Sequence, residues 1–220
     1  MKKATKIIIG TTVGLVLTLA LVIGIPFIAL EVKTKGMKKD YEYLKADAVY
    51  SEKVEVKGIN LVTQHISCGY ATIEMLSTYY GKPVSEDDLS KKNGGGVSTS
   101  STSGFLMEIN ASIDRDFTMQ SYLSNDDYLK TIHKALSNST PVAIEWAAKY
   151  ESEWTLHFSV VSALDIGNNN ITVYNPYGYI ENIRIDEFLN RTSFASYENM
   201  PLFLNFGFAF GAFHKNTLFY

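Results

Sequence analysis

The chain has 220 residues, one cysteine and a formal net charge of −3 that is unevenly spread. Residues 1–40 carry seven lysines against Glu31 and Asp40, net +5, which leaves the remainder at −8. A single cysteine excludes internal disulfides, so the fold must rest on core packing. An acidic domain without a basic stripe argues against nucleic acid as a partner.

Residues 7–30 form an unbroken uncharged run of 24 residues. At 1.5 Å rise per residue, a helix of that length crosses a hydrocarbon core of roughly 30 Å. Lys2, Lys3 and Lys6 precede it; Lys33, Lys35, Lys38 and Lys39 follow. A cleaved secretory signal is the alternative. Its apolar region is usually about 7–15 residues and ends at a small-x-small site, whereas no Ala-x-Ala precedes Glu31. The run is read as an uncleaved signal-anchor, although lysines on both flanks leave the positive-inside rule undecided. The expected protein is a single-pass protein of the cell membrane, N-terminus inside and main domain extracytoplasmic. Residues 1–31 are the stub and anchor, 32–57 a charged juxtamembrane linker, and 58–220 one domain with its own core.

From Cys68 the pattern is helical. Ala71, Ile73, Leu76 and Tyr80 recur at near-helical spacing, Met75 and Tyr79 widen the stripe, and Gly81 and Pro83 supply a stop. Ser85 with Asp88 reads as a capping box. Residues 93–104 are a Gly/Ser/Thr loop, either plainly solvated or one rim of a cleft. It lacks the Gly-Lys-Ser/Thr closure of a phosphate loop. Residues 105–113 are read as a short helix. Ser124 with Asp127 opens another, carrying Tyr128, Leu129, Ile132 and Leu136 on one side. Strands are expected at 142–146 and 156–164, the latter paired through a turn with 171–175. A further strand at 180–185, a short helix at 186–190 and a strand-rich aromatic tail over 202–220 complete the chain. Helices first and strands after predict an α+β domain with a segregated helical lobe.

The candidate chemistry is that of a thiol. Cys68 stands at a predicted helix start, where unpaired N–H groups favour an anion. His157 lies on a strand and Asn175 ends the adjacent one, just before Pro176. An imidazole there can take the thiol proton, and the carboxamide can hold its tautomer. Gln64 can offer its side-chain amide, with the Cys68 N–H, to an oxyanion. Each residue has an ordinary alternative: a buried small hydrophobe, a packed histidine, an Asn-Pro turn. The other histidines compete weakly. His65 is close to Cys68 in sequence, His133 lies mid-helix and His214 in the tail. One Cys and four scattered His give no zinc-ligand spacing, so no metal and no cofactor are expected.

Taken together, Gln64, the block Cys68-Gly69-Tyr70-Ala71 running to Tyr79-Tyr80-Gly81, Pro141-Val142-Ala143-Ile144, His157 with Ser159-Val160-Val161, and Tyr174-Asn175-Pro176-Tyr177-Gly178 resemble a known group. The sequence is similar, over about residues 58–192, to papain-like cysteine peptidases of the bacteriocin-processing type, which cleave double-glycine leader peptides, and their stand-alone relatives. The resemblance implies a papain-like fold, a peptide or protein substrate, Cys68 as nucleophile, His157 as base and Gln64 as oxyanion donor. The family usually has Asp before the Pro, where this chain has Asn175; papain itself uses Asn. Gln64 is also nearer the cysteine than in papain. No transporter or nucleotide-binding segment follows in this sequence, so only the reaction class carries over. Two other outcomes stay open: an acyltransferase or amidase using the same thiol, and a non-catalytic module that binds peptides in an inherited cleft.

Overall fold

A computed structural model describes residues 2–220, with side-chain environments from residue 14 onward. Helix α1 (Lys2–Thr34) is the apolar run. Its stretch Gly14–Thr34 has a mean hydropathy of 2.5, and none of it is buried within the protein. A helix apolar on every side, touching the domain near its end at Phe27 and Leu30, is long and apolar enough to cross a membrane. The first part of the run, residues 7–13, lies outside the residues whose environment is described.

The rest is α+β. Helices α2 (Cys68–Tyr79), α3 (Glu86–Lys92), α4 (Thr102–Ser112) and α5 (Asn125–Ser137) precede most of the sheet, and α6 (Ile185–Thr192) and α7 (Leu202–Ala209) follow it. The strands are β1 (Val54–Glu55), β2 (Met119–Gln120), β3 (Val142–Tyr150), β4 (Glu153–Asp165), β5 (Asn170–Asn175), β6 (Tyr179–Arg184) and β7 (Thr217–Phe219). They form one antiparallel sheet in the order β2-β7-β3-β4-β5-β6, with β1 on β4. β4 is long because it has two partners on one side. β3 covers it up to Val161, opposite Val142, and β1 takes over at Ala163 and Leu164. A bulge between Val161 and Ala163 marks the change in the β4–β5 register.

Alternation along the strands sends Phe158 and Trp146 to opposite faces, since Phe158 pairs with Glu145 and Trp146 with His157. Phe105 of α4 stacks on Phe158 at 4.2 Å, while Phe188 of α6 sits 6.2 Å from Trp146 and 5.9 Å from Tyr128 of α5. All five rings are essentially solvent-free. Helix α2 is buried nearly all round, with Tyr70, Ala71, Ile73, Met75 and Leu76 fully covered. The capping box of Ser85 and Asp88 forms, and Gly81 takes φ +78° just after α2. At α5, Ser124 occupies the cap but donates to Asp126 and Asp127 (2.6 and 2.7 Å) instead of accepting from the backbone. Part of the 32–57 segment packs on the domain, with Leu44 fully buried and Val56 in the core.

The tail differs from expectation. Residues 202–209 are helix, and strand is confined to Thr217–Phe219. Aromatic content favours strands on average, but Leu204 and Phe208, four apart, are buried together while Leu202, Phe206 and Phe210 fall on another face. The spacing, not the composition, decided it.

Glu145 is a buried carboxyl in the middle of this core. Thr102 Oγ1 donates to its Oε2 at 2.5 Å, and Oε1 has no partner. Burial pushes it up to about 8, so it holds its proton at neutral pH. A raised acid contributes stability that is full below the unfolded value of 4.5 and declines as pH rises towards 8. Glu145→Gln is therefore expected to flatten the pH dependence of thermal stability across that window. An unchanged slope in melting curves of the variant would contradict this assignment.

Candidate active site

Cys68 is the first residue of α2 because Ser67 before it is extended (φ −156°) and accepts the Tyr70 N–H on its hydroxyl at 3.1 Å. Gly69 must be glycine: a Cβ there would lie 2.2 Å from Thr99 Oγ1. This close approach brings the 93–104 loop against the helix start. The loop is itself pinned. Tyr70 Oη donates to the Gly96 carbonyl and accepts the Ser98 N–H, both at 3.0 Å. Glu108 accepts from Ser98 Oγ (2.6 Å), Lys92 Nζ (2.8 Å) and Asn93 Nδ2 (3.0 Å). Val97, Thr99 and Ser100 of this loop line a hollow together with Cys68.

The segment before Cys68 is fixed by a residue that the sequence presented only as part of a helix start. Glu86 is fully buried, and its carboxylate accepts the backbone N–H groups of His65 (3.0 Å), Ile66 (2.9 Å) and Ser67 (2.9 Å). Gln64 is tied by its own N–H to the Pro176 carbonyl at 2.8 Å, which joins the segment before Cys68 to the turn after β5. Its side-chain oxygen Oε1 is buried without a protein partner. His65 turns away to Glu86 and Asp87 of α3.

Cys68 meets β4 at the backbone N–H of Phe158, the residue after His157. Enclosure of the sulfur pushes the thiol up to about 11, against backbone N–H groups of Phe158, Gly69 and Cys68 itself that favour the anion. The helix-start amides thus act in the expected direction and lose to burial. His157 is buried too, and burial drives its imidazole down to about 3, opposed by the bond to Asn175. Both shifts run towards the uncharged forms, thiol and neutral imidazole.

The tautomer of that imidazole follows from its neighbours. His157 Nε2 lies 2.9 Å from Asn175 Oδ1. The amide cannot be turned round. Its Nδ2 donates to the Glu181 carboxylate at 2.7 Å, and its Oδ1 already accepts the Tyr177 N–H at 2.9 Å. An oxygen acceptor at Nε2 requires the proton there, leaving the Nδ1 lone pair as the basic site. Tyr177 stacks on the ring at 4.1 Å and holds its plane. Glu181 is held in turn by Arg191 Nη1 at 2.8 Å, whose guanidinium lies 5.1 Å above Trp146. Glu181 therefore places a carboxylate behind the neutral Asn175. Nothing in the sequence pattern separated Glu181 or Arg191 from other surface charges. Glu181→Gln is expected to lower turnover about tenfold, in the range for residues that orient a ligating or catalytic imidazole, and to shift the acid limb of the pH–rate profile. An unaltered profile would show that Asn175 needs no support.

Two hollows flank Thr155 of β4. One, of about 370 Å³, is lined by Cys68, Val97, Thr99, Trp154, Phe158 and Phe203, among others. The other, of about 390 Å³, is lined by Thr63, Gln64, Tyr150, Glu153, Pro176 and Tyr177. They form an interrupted groove running past the thiol. A larger hollow, about 560 Å³, lies along α5 around His133 and touches none of the four candidate residues. Asp127, Lys130, His133 and Ser137 line it, and neither Cys68 nor His157 reaches it.

A family model described as "Peptidase_C39 like family" matches residues 56–201. The chain belongs to the Peptidase_C39-like family. Two solved structures are similar to it. One is the peptidase domain of Streptococcus ComA, a bi-functional ABC transporter involved in a quorum sensing pathway, with 14% identity over 74% of this chain and 97% of that one and a TM-score of 0.47. The other is a double glycine motif protease from an AMS/PCAT transporter in complex with the leader peptide, with 16% identity over 61% of this chain and 85% of that one and a TM-score of 0.44. The chain has no match among curated proteins. Membership of the Peptidase_C39-like family agrees with the resemblance carried by the Cys68 and Asn175 blocks. Among the described residues no cluster of His, Cys, Asp and Glu could hold a metal ion.

Proposed function

We propose that this protein is a membrane-anchored cysteine peptidase, with Cys68 as nucleophile, His157 as general base, Asn175 as its orienter and Gln64 as an oxyanion donor. The observation that carries the reading is the fixed tautomer. An imidazole with its proton locked on Nε2 against Asn175 Oδ1 presents a basic Nδ1 on the strand that meets the Cys68 sulfur.

The sulfur attacks the scissile carbonyl carbon as its proton passes to His157 Nδ1. The tetrahedral oxyanion takes the Cys68 N–H and the Gln64 amide. The imidazolium returns the proton to the leaving nitrogen, the C–N bond breaks and a thioester remains. Water, deprotonated by His157, then releases the acid and restores the thiol. Because the resting pair is neutral, charge appears only in the transition state, where the Asn175–Glu181–Arg191 chain supports the imidazolium. Helix α1 is read as the anchor, with the N-terminus inside and the domain on the outer face.

Peptide digests with the purified full-length protein in detergent test this reading. Mass spectrometry should find products that together gain one water; products carrying an amine or thiol in its place would make it an acyltransferase. Alkylation of Cys68 by iodoacetamide should keep accelerating from about pH 8 to about pH 10, because the thiol titrates above the ordinary value of about 8.5. A plateau above about pH 9 would contradict a thiol raised by desolvation.

A further inference from the structure

Helix α7 is apolar well beyond what the core needs. From Pro201 to Phe213 the chain has no charged residue. Leu204 and Phe208 face inward and are buried. Leu202 and Phe203 are 69% and 67% exposed and Phe210 is 55% exposed. Phe206, on the same side, stacks with Phe210 and packs edge-on against Phe27 of α1 at 5.5 Å. Leu30 of α1 packs on the cluster that α7 makes with Phe194.

Those contacts fix a depth. Phe27 lies three residues inside the end of the apolar run, about 4.5 Å along the helix axis. A ring touching it, and the helix carrying that ring, are at the level of the headgroup–acyl boundary whenever α1 spans a bilayer. Interfacial helices bury an apolar face roughly 5–10 Å deep. Lys33, Lys35 and Lys38, all exposed, follow directly along the chain, placed for anionic headgroups.

We propose that α7 is a second membrane contact, seating Leu202, Phe203, Phe206 and Phe210 in the leaflet from which α1 emerges and setting the Cys68 groove at the lipid surface. The proposal rests on reading α1 as an anchor. Phe203, Leu204 and Phe213 also line the groove beside Cys68, so one short helix serves both lipid and cleft. The substrate class that follows is a peptide bond next to a membrane-embedded or membrane-adsorbed stretch.

The test uses the full chain reconstituted in phosphatidylcholine vesicles containing about one quarter phosphatidylglycerol. Tryptophan introduced as Phe210→Trp should lose at least half of its added fluorescence to lipids brominated near the headgroup end of the acyl chain. Tryptophan at Leu19→Trp, in α1, should be quenched by deep bromines. A bimane attached to Cys68, the sole thiol, should be quenched by headgroup spin labels and not by deep ones. If Leu19→Trp is quenched and Phe210→Trp is not, α7 is off the membrane and the proposal falls while the anchor stands. If Leu19→Trp is unquenched, both fall. An unquenched bimane removes the lipid-surface position of the groove. A Phe210→Trp signal that ignores lipid but changes with protein concentration assigns the face to a second copy, which also overturns the proposal.

Discussion

Cys68→Ala is expected to reduce peptide hydrolysis by at least about 10⁴-fold while the fold persists. The expectation follows from the non-additivity of nucleophile and base: without the sulfur, His157 and the oxyanion donors have no covalent step to assist, and only residual electrostatic stabilisation remains. The substitution removes one partly covered sulfur at a helix start, where neither the Ser67 cap nor the packing of Tyr70 and Ile73 depends on it. Its cost in stability should be about 1 kcal/mol. Turnover and circular dichroism on the same preparation check both halves. Retained activity with an unchanged spectrum would sink the assignment of Cys68. Loss of activity together with loss of structure would be uninformative for Cys68→Ala, and Cys68→Ser, nearly the same volume, serves in that case.

The second large effect is at Glu86. Its carboxylate accepts three consecutive backbone N–H groups ahead of Cys68 while fully buried. Glu86→Ala leaves those three donors without a partner, each costing roughly 1–3 kcal/mol if water cannot reach it. A destabilisation of about 3 kcal/mol or more is expected, read from the shift in denaturant midpoint at unchanged slope. Activity should fall further than stability explains, because the same strand of backbone carries Gln64 and positions the start of α2. Glu86→Gln keeps one acceptor and the volume, and should recover part of both. Wild-type behaviour of Glu86→Gln would mean that Glu86 acts through packing alone.

Several parts of the fold were legible along the chain. The α2 stripe, the Ser85 capping box and the β4–β5 hairpin rest on contacts within a few residues, which periodicity and turn chemistry report directly. The candidates Cys68, His157 and Asn175 were legible as residue types in order, and their alternatives were equally legible. The tail departs from the strand that its aromatic content favours, because the four-residue spacing of Leu204 and Phe208 suits a helix packed by one face. Glu86, Glu181 and Arg191 were invisible for a related reason. A charged residue in a sequence looks solvated, and only the folded chain shows that it is buried against backbone donors or stacked over Trp146.

The linear chain by itself determined the apolar entry helix and the α+β order of elements, and it offered Cys68, His157 and Asn175 as candidates. These depend on composition and short-range spacing, which survive without knowledge of distant neighbours. Tertiary structure alone decided which ring nitrogen of His157 is basic, that desolvation outweighs the helix start at Cys68, and which acids hold the segment before Cys68 and the Asn175 amide. Protonation and hydrogen-bond direction are set by groups that lie tens of residues away along the chain and touch only after folding.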